Sequence, residues 1–305
     1  MQRVVVIANP VASQFTGGSH RDVMSQLAKY HDVHALWPGS AVEATAAAQG
    51  AVDEGASIVV AMGGDGIVHH VAQALIGTET ALGIVPTGTT NVVARLFDIP
   101  ARTAKATKLI ARPHQVSTIG TARLDLVRGD TTTTHHAIFA CGFGLDAEVV
   151  RAADSDPYRK YRFGSIHYAR SALRVGLASH AGTKPHVTFV HDARTATGTS
   201  ALIQFRQVYT YFGRVGLRFI EQPPEPITVL VMERLRRRRI PSIMFNALSH
   251  RDLDRIKGFT TWEHVERLEL DADPPVAAQA DGEGLGLVDG GSVEWAPDSL
   301  RIVSG

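Results

Sequence analysis

The chain has a single cysteine, Cys141, in 305 residues. A lone Cys cannot close an internal disulfide, which points to a reducing compartment rather than a cross-linked secreted fold. Net charge is nearly absent: 31 Lys and Arg against 30 Asp and Glu leave +1. That removes any global electrostatic case for a nucleic-acid partner. No apolar run reaches the length of a membrane span. Met1-Gln2-Arg3-Val4 leads straight into a strand pattern, without the apolar core and cleavage site of a secretory leader. The expectation is a cytoplasmic protein that meets lipid, if at all, from the membrane surface. Absent too are a Gly-x₄-Gly-Lys-Ser/Thr loop, a protein-kinase catalytic loop and a zinc-protease His pair. The 14 histidines include the pairs His69-His70, His135-His136 and His31/His34, none with a nearby third ligand at metal spacing.

What the chain does have is core material and glycine-rich turns. Hydrophobic residues make up 44%, ample for one large or two medium domains. Ile58-Val59-Val60-Ala61-Met62 is a short β-branched run that ends in Gly63-Gly64-Asp65-Gly66-Ile67. Val68, Val71, Ala72 and Leu75 then recur at helical spacing. Strand, tight turn and helix in that order aim backbone N–H groups from a helix N-terminus, which suits phosphate. Glycine serves such a turn where backbone approaches a ligand or φ is positive. Asp65 would repel a bare phosphate and makes sense with Mg²⁺ between acid and phosphates. A plain strand-to-helix turn with an Asp cap looks the same in sequence. A second unit of the same kind follows. Ala81-Leu82-Gly83-Ile84-Val85-Pro86 breaks into Thr87-Gly88-Thr89-Thr90-Asn91, and a helix begins near Val92. Two such turns on successive buried strands would lie side by side on a parallel sheet.

In chain order, Val4-Val5-Val6-Ile7 predicts the first strand, ending at Asn9-Pro10, with a helix around His20–Tyr30. A strand near Val33–Leu36 and an Ala-rich helix over Ala41–Glu54, stopped by Gly55, come next. After Pro113 the texture changes to short Thr-, Val- and Ile-rich runs: Val116–Ile119, Arg123–Arg128, His135–Cys141, His186–His191, Ser200–Tyr211, Ile227–Met232 and Val265–Leu270. These read as antiparallel strands. The fold class expected is an α/β N-terminal domain with a parallel sheet over residues 1–122, followed by an antiparallel β-sandwich over 123–291.

Three motifs carry a resemblance. Gly63-Gly64-Asp65-Gly66, then Pro86-Thr87-Gly88-Thr89-Thr90-Asn91 with Ala94-Arg95, and finally Gln279-Ala280-Asp281-Gly282-Glu283-Gly284 stand in the order found in the diacylglycerol kinase catalytic-domain family. The chain resembles that family, which includes bacterial lipid kinases and sphingosine kinases. The resemblance implies a fold shared with NAD kinases, with residues 292–305 returning to the first domain and 123–291 holding a lipid substrate. It implies transfer of the γ-phosphate of ATP to a lipid hydroxyl, with diacylglycerol the default. It also implies peripheral membrane contact, and a homodimer is compatible with it. Asn9, Gly63, Gly64, Asp65, Gly66, Gly88, Thr89 and Asn91 would then hold the nucleotide, with Asp65 binding Mg²⁺. Thr89 and Asn91 offer a hydroxyl and an amide for phosphate or ribose. Asp281 would be the general base and Glu283 would orient metal or nucleotide. Alternation along an extended chain would turn both carboxylates toward one cleft, shared with Asp65.

Cys141-Gly142-Phe143-Gly144-Leu145-Asp146-Ala147 matches a further run of the family that opens a helix, with Asp146 the expected N-cap. Tyr158–Arg162 and a long helix over Ser165–Ala178 match its basic segment. Arg236-Arg237-Arg238-Arg239 reads as a solvated charge run or, alternatively, as an anchor for an anionic surface. The chain departs from the family at Ile67, where Thr is usual, at His70, where an acid is frequent, and at Val92, where Asp is common. Pro223-Pro224-Glu225-Pro226 lacks the Asp-Gly turn that holds a structural metal in bacterial members, so no such metal is expected. Ile67 and His70 keep open a weakly active member that binds nucleotide or lipid as a regulator. An NAD kinase is a further alternative, because NAD kinases resemble the family around Gly63-Gly64-Asp65-Gly66; the Thr87–Asn91 turn and the Asp281-Gly282-Glu283 motif speak against it.

Overall fold

The computed structural model describes residues 1–112, 115–154, 184–212, 215–218, 226–234 and 256–305, with isolated positions between 235 and 255. The expected basic segment and long helix over 158–178 lie outside the described residues, as do Pro223, Pro224 and Glu225. The chain divides into two units, Met1–Thr121 with Pro297–Gly305, and Ala122–Ala296.

The first unit is built on parallel strands β1 (Arg3–Ala8), β2 (Asp32–Leu36), β3 (Ile58–Gly63) and β4 (Ala81–Pro86). Every residue of β3 and β4 is buried, and β1 is buried from Val4 onward. Strands covered on both faces need apolar side chains on both faces, hence continuous rather than alternating runs. β2 alternates because it stands at the edge. The order is β2-β1-β3-β4, and Ile302 adds the last stretch of chain beside Leu82. Helices cover both faces: α1 (Gly17–Leu27) with α5 (Thr103–Ala111), and α2 (Ala41–Asp53) with α3 (Asp65–Leu75). Val4, Val6 and Ala8 meet Val23 and Leu27 of α1 and Ile110 of α5 in one core. The short α4 (Val92–Leu96) follows β4. α1 begins three residues before the expected start because Thr16 and Ser19 form a reciprocal capping box. Thr16→Ala should lower the unfolding free energy by about 1 kcal/mol in urea titration.

In the second unit the expected runs Val116–Ile119 and Arg123–Arg128 are one strand, β5 (Gln115–Arg128), which begins in the first unit and pairs with β6 (Thr131–Ala137). β7 (Ala140–Phe143) leads into α6 (Leu145–Asp154). The hairpin β8 (Val187–His191) and β9 (Arg194–Gly198) precedes β10 (Ser200–Gln204). β11 (Thr210–Phe212) and β12 (Val215–Leu217) form a separate small ribbon. Then come β13 (Ile227–Met232), β14 (Phe259–Val265), β15 (Arg267–Ala280) and β16 (Glu283–Ser304), the last running on into the first unit. Pairing in this unit is antiparallel. β15 changes neighbours along its length: Glu269–Ala272 pair with β8, and Ala278–Ala280 with β7, on either side of a register break. Phe143, Phe189, Leu124, Val229, Leu268 and Ala280, drawn from five strands, pack into one core.

Candidate active site

In the first unit the chain leaves β1 toward α1 and leaves β3 toward α3, on opposite faces of the sheet. β1 and β3 are neighbours, so their carboxyl ends flank a topological switch point, where open α/β sheets place ligands. Asn9 stands at one side and Gly63 at the other. A Cβ on Gly63 would lie 3.3 Å from that of Asn9 and would overlap Cγ2 of Ile67. Ile67, in place of the expected hydroxyl, is buried against this turn.

Three loops are sewn together here. The Thr87 N–H donates to the Gly63 carbonyl at 2.8 Å, and the Gln14 N–H donates to the Thr87 carbonyl at 2.8 Å. Gln14 Nε2 and Asn91 Nδ2 both donate to the Gly88 carbonyl, at 3.0 and 2.8 Å. Asn91 Oδ1 accepts the Gly88 N–H at 3.0 Å, with Asn91 in the left-handed region at φ 48°. Ser13 and Thr89 share a hydroxyl bond of 3.0 Å. Asn9 closes its own loop by accepting the Val11 N–H at 3.1 Å. Asp65 Oδ1 accepts the Val93 N–H at 3.1 Å and so caps α4 from the first turn of α3.

Two features favour an anion. α3 opens at Gly64 with no side-chain cap, leaving first-turn N–H groups and the helix dipole directed outward. The Thr87 hydroxyl is buried without a partner, which costs about 1–3 kcal/mol unless something bonds it. Gly63, Gly64, Gly66 and Gly88 all lie outside the positive-φ region. At Gly63 and Gly88 close packing is the reason for glycine, and a Cβ on Gly88 would sit 2.5 Å from the Gly64 Cα. Thr87 lies inside the second motif but is not among the predicted site residues, nor are Ser13 and Gln14. Ser13 and Gln14 carry no motif, and only their proximity to the Gly88 loop reveals them.

In the second unit Asp281 and Gly282 form the two-residue turn between β15 and β16, with Ala280 opposite Glu283. Both have positive φ, 53° and 82°, as a type I′ hairpin requires. This corrects the expectation drawn from alternation, since the chain is not extended at Asp281 and the two carboxylates are not related by the strand period. Asp281 is 4% exposed. Its Oδ1 accepts N–H groups of Ile138, Phe139 and Ala140 at 2.9, 2.9 and 3.4 Å, and Oδ2 accepts that of Ile138 at 2.8 Å. Those bonds explain why the expected strand His135–Cys141 breaks into β6 and β7: Ile138 and Phe139 give their N–H groups to a carboxylate. Glu283 opens β16, half-buried.

Asp146 is a second correction. It lies inside the first turn of α6, and the Leu145 N–H is taken by Ser200 Oγ at 2.9 Å. Asp146 accepts instead from Tyr209 Oη and Gln279 Nε2. Burial pushes its carboxyl up, opposed by those two bonds, and burial with the Asp146 charge pushes Tyr209 well above the ordinary phenol range. Cys141 is driven well up by burial and by the Asp281 and Asp146 charges, so its thiol stays protonated. Of the Arg run, Arg236 and Arg239 are described, and Arg239 donates to the Lys257 carbonyl. Among the described residues no helix is long and apolar enough to cross a membrane, and no group of three His, Cys, Asp or Glu is placed to hold a metal.

The family model for the diacylglycerol kinase catalytic domain matches residues 3–123. A diacylglycerol kinase of Mycobacterium tuberculosis (strain CDC 1551 / Oshkosh) is 32% identical over 124 residues, covering 40% of each chain. The chain thus spans about two fifths of the length of this curated relative. Two solved chains from Bacillus anthracis str. Sterne that carry the diacylglycerol kinase name align with all of this chain, at TM-scores of 0.76 and 0.69 and identities of 18% and 16%, and are covered to 95% and 97%. Yeast NADH kinase, solved with NADH, aligns at a TM-score of 0.55 and 11% identity, with 84% of it covered. These structural likenesses establish the fold. The motifs at Gly63–Gly66 and Thr87–Asn91 both lie inside residues 3–123, the span that the diacylglycerol kinase catalytic-domain family model matches.

Proposed function

We propose that this protein transfers the γ-phosphate of ATP to the hydroxyl of a membrane lipid, with diacylglycerol the first acceptor to try and phosphatidic acid its product. The observation that carries the reading is the loop cluster at the switch point. There the uncapped start of α3 and the partnerless Thr87 hydroxyl stand beside Asp65. That donor set fits a polyphosphate. It fits Mg²⁺ as well, because Mg²⁺ takes one or two protein carboxylates and fills its remaining positions with phosphate oxygens and water. Bound there, Mg²⁺ would supply charge neutralisation for the phosphates. The N–H groups of Gly64 to Gly66 would hold the phosphates, Thr87 and Thr89 would donate hydroxyl bonds, and Asn9 and Asn91 would keep the loops in shape.

The acid half of the reaction is proposed for the Asp281-Gly282-Glu283 turn, with Asp281 as general base and Glu283 orienting metal or nucleotide. The burial of Asp281, with both oxygens on backbone N–H groups, favours a second assignment in which Glu283 receives the proton and Asp281 fixes the turn. Peripheral membrane contact follows from the acceptor. The experiment is incubation of the purified protein with labelled ATP, Mg²⁺ and a panel of lipids in mixed micelles. Label is expected in a lipid alcohol. Nucleotide binding without lipid labelling would leave a regulator, and labelling of NAD alone would make the protein an NAD kinase.

A further inference from the structure

The reaction as proposed makes no use of Gln279, a buried and hydrogen-bonded side chain of the second unit. Gln279 is 2% exposed, one turn-length before Asp281. Its Nε2 donates to Asp146 and, at 3.0 Å, to Tyr209 Oη, while its Oε1 accepts the Gly282 N–H at 2.9 Å. Tyr209 Oη in turn donates to Asp146. Gly142 leaves space for this cluster, since a Cβ there would fall 2.6 Å from Asp146 Oδ2 and 3.1 Å from Tyr209 Oη.

The direction of these bonds is forced by chemistry. A carboxylate only accepts, so Asp146 admits the NH₂ end of the Gln279 amide and excludes the oxygen end. With the NH₂ end committed to Asp146 and Tyr209, the amide oxygen faces Gly282. A Gln amide without that charge beside it has two orientations of similar energy, and one of them would set N–H against N–H at Gly282. Asp281 is thus fixed from its side chain by the Ile138–Ala140 backbone, and the next residue is fixed by Gln279.

We propose that Asp146, Tyr209 and Gln279 form a positioning unit that holds the Asp281-Gly282 turn in its reactive geometry, acting through the turn rather than on substrate. This rests on the reading of Asp281-Gly282-Glu283 as the acid half of the site. The positions are distant in sequence, and none of the three is among the residues predicted to act.

The test pairs kinetics with hydrogen–deuterium exchange in the full chain. Gln279→Met keeps the length of the side chain and removes its hydrogen bonds. It should lower kcat by about tenfold to a hundredfold, the scale of a misplaced reacting group. KM for ATP should stay within about twofold, because the nucleotide residues are untouched. Exchange of peptides covering residues 280–284 should speed by about tenfold for the loss of one buried bond. Asp146→Asn, which frees the amide to turn over, should fall between wild type and Gln279→Met on both readouts. Exchange at the turn equal to wild type in Gln279→Met would overturn the inference, as would faster exchange with kcat unchanged. Should Gln279→Met fail to fold, Tyr209→Phe carries the same two readouts with a smaller loss of bonds. A wild-type protein that labels no lipid would remove the proposed reaction, and the exchange rates would still decide whether the cluster holds the turn.

Discussion

Asp65→Asn is expected to reduce phosphoryl transfer by about 10³-fold while leaving the melting temperature close to wild type. Asp65→Ala is expected to be as inactive and less stable. The difference comes from the two tasks the side chain performs. One oxygen caps α4 through the Val93 N–H at 3.1 Å, and the charge is proposed to hold Mg²⁺. Asparagine keeps an acceptor for Val93 and gives up the charge. Alanine gives up both, and loss of such a cap costs about 1 kcal/mol. Turnover with saturating ATP and Mg²⁺, beside thermal unfolding of the three proteins, separates the tasks. Near-normal turnover in Asp65→Asn would remove the metal role, and equal melting temperatures for Asn and Ala would remove the cap.

Gly88→Ala should destabilise the first unit by about 1–3 kcal/mol, the range for forcing atoms into a packed interior. The new methyl would meet the Gly64 Cα at 2.5 Å, Asn91 Oδ1 at 2.9 Å and the Gly64 N at 3.2 Å. Two of these atoms are backbone at the start of α3, so relief requires the loops to part. Parting them breaks the bonds from Thr87 to Gly63 and from Gln14 to Thr87, and nucleotide affinity should fall with stability. Gly50→Ala is the matched control. Gly50 is helical in α2, with nothing within 4 Å of the new methyl, and alanine there should stabilise by up to about 1 kcal/mol. Urea titration reads both signs. A neutral Gly88→Ala would mean that the two loops are not in backbone contact.

The first unit was largely legible in the sequence because its signals are local. Val4–Ile7, Ile58–Met62 and Ala81–Val85 are apolar on both faces, as buried parallel strands must be, and each glycine-rich break falls at a strand end. The reason for the glycines was read only in part. Neither a ligand nor a positive φ is needed to account for Gly88, because the Gly64 backbone already excludes a side chain. The second unit was read less well because its decisive contacts are long-range. Asp281 bonds residues that precede it by 143 and 142 positions, and nothing near Ile138 in sequence announces that its N–H belongs to a carboxylate. Asp146 has the local signature of an N-cap, yet it lies one residue inside α6 and its carboxylate is taken by Tyr209 and Gln279 from distant parts of the chain. Local propensity lost to a tertiary partner there.

The gap between β6 and β7 bears on how this protein should be silenced in a cell. Two consecutive peptide groups there have exchanged strand pairing for the Asp281 carboxylate. A knock-in allele that deletes that carboxylate would strip a sheet of its joint as well as an enzyme of its acid, and any phenotype would confuse absence of protein with absence of turnover. Asp65→Asn is the cleaner loss-of-activity allele, since it is expected to accumulate to normal levels.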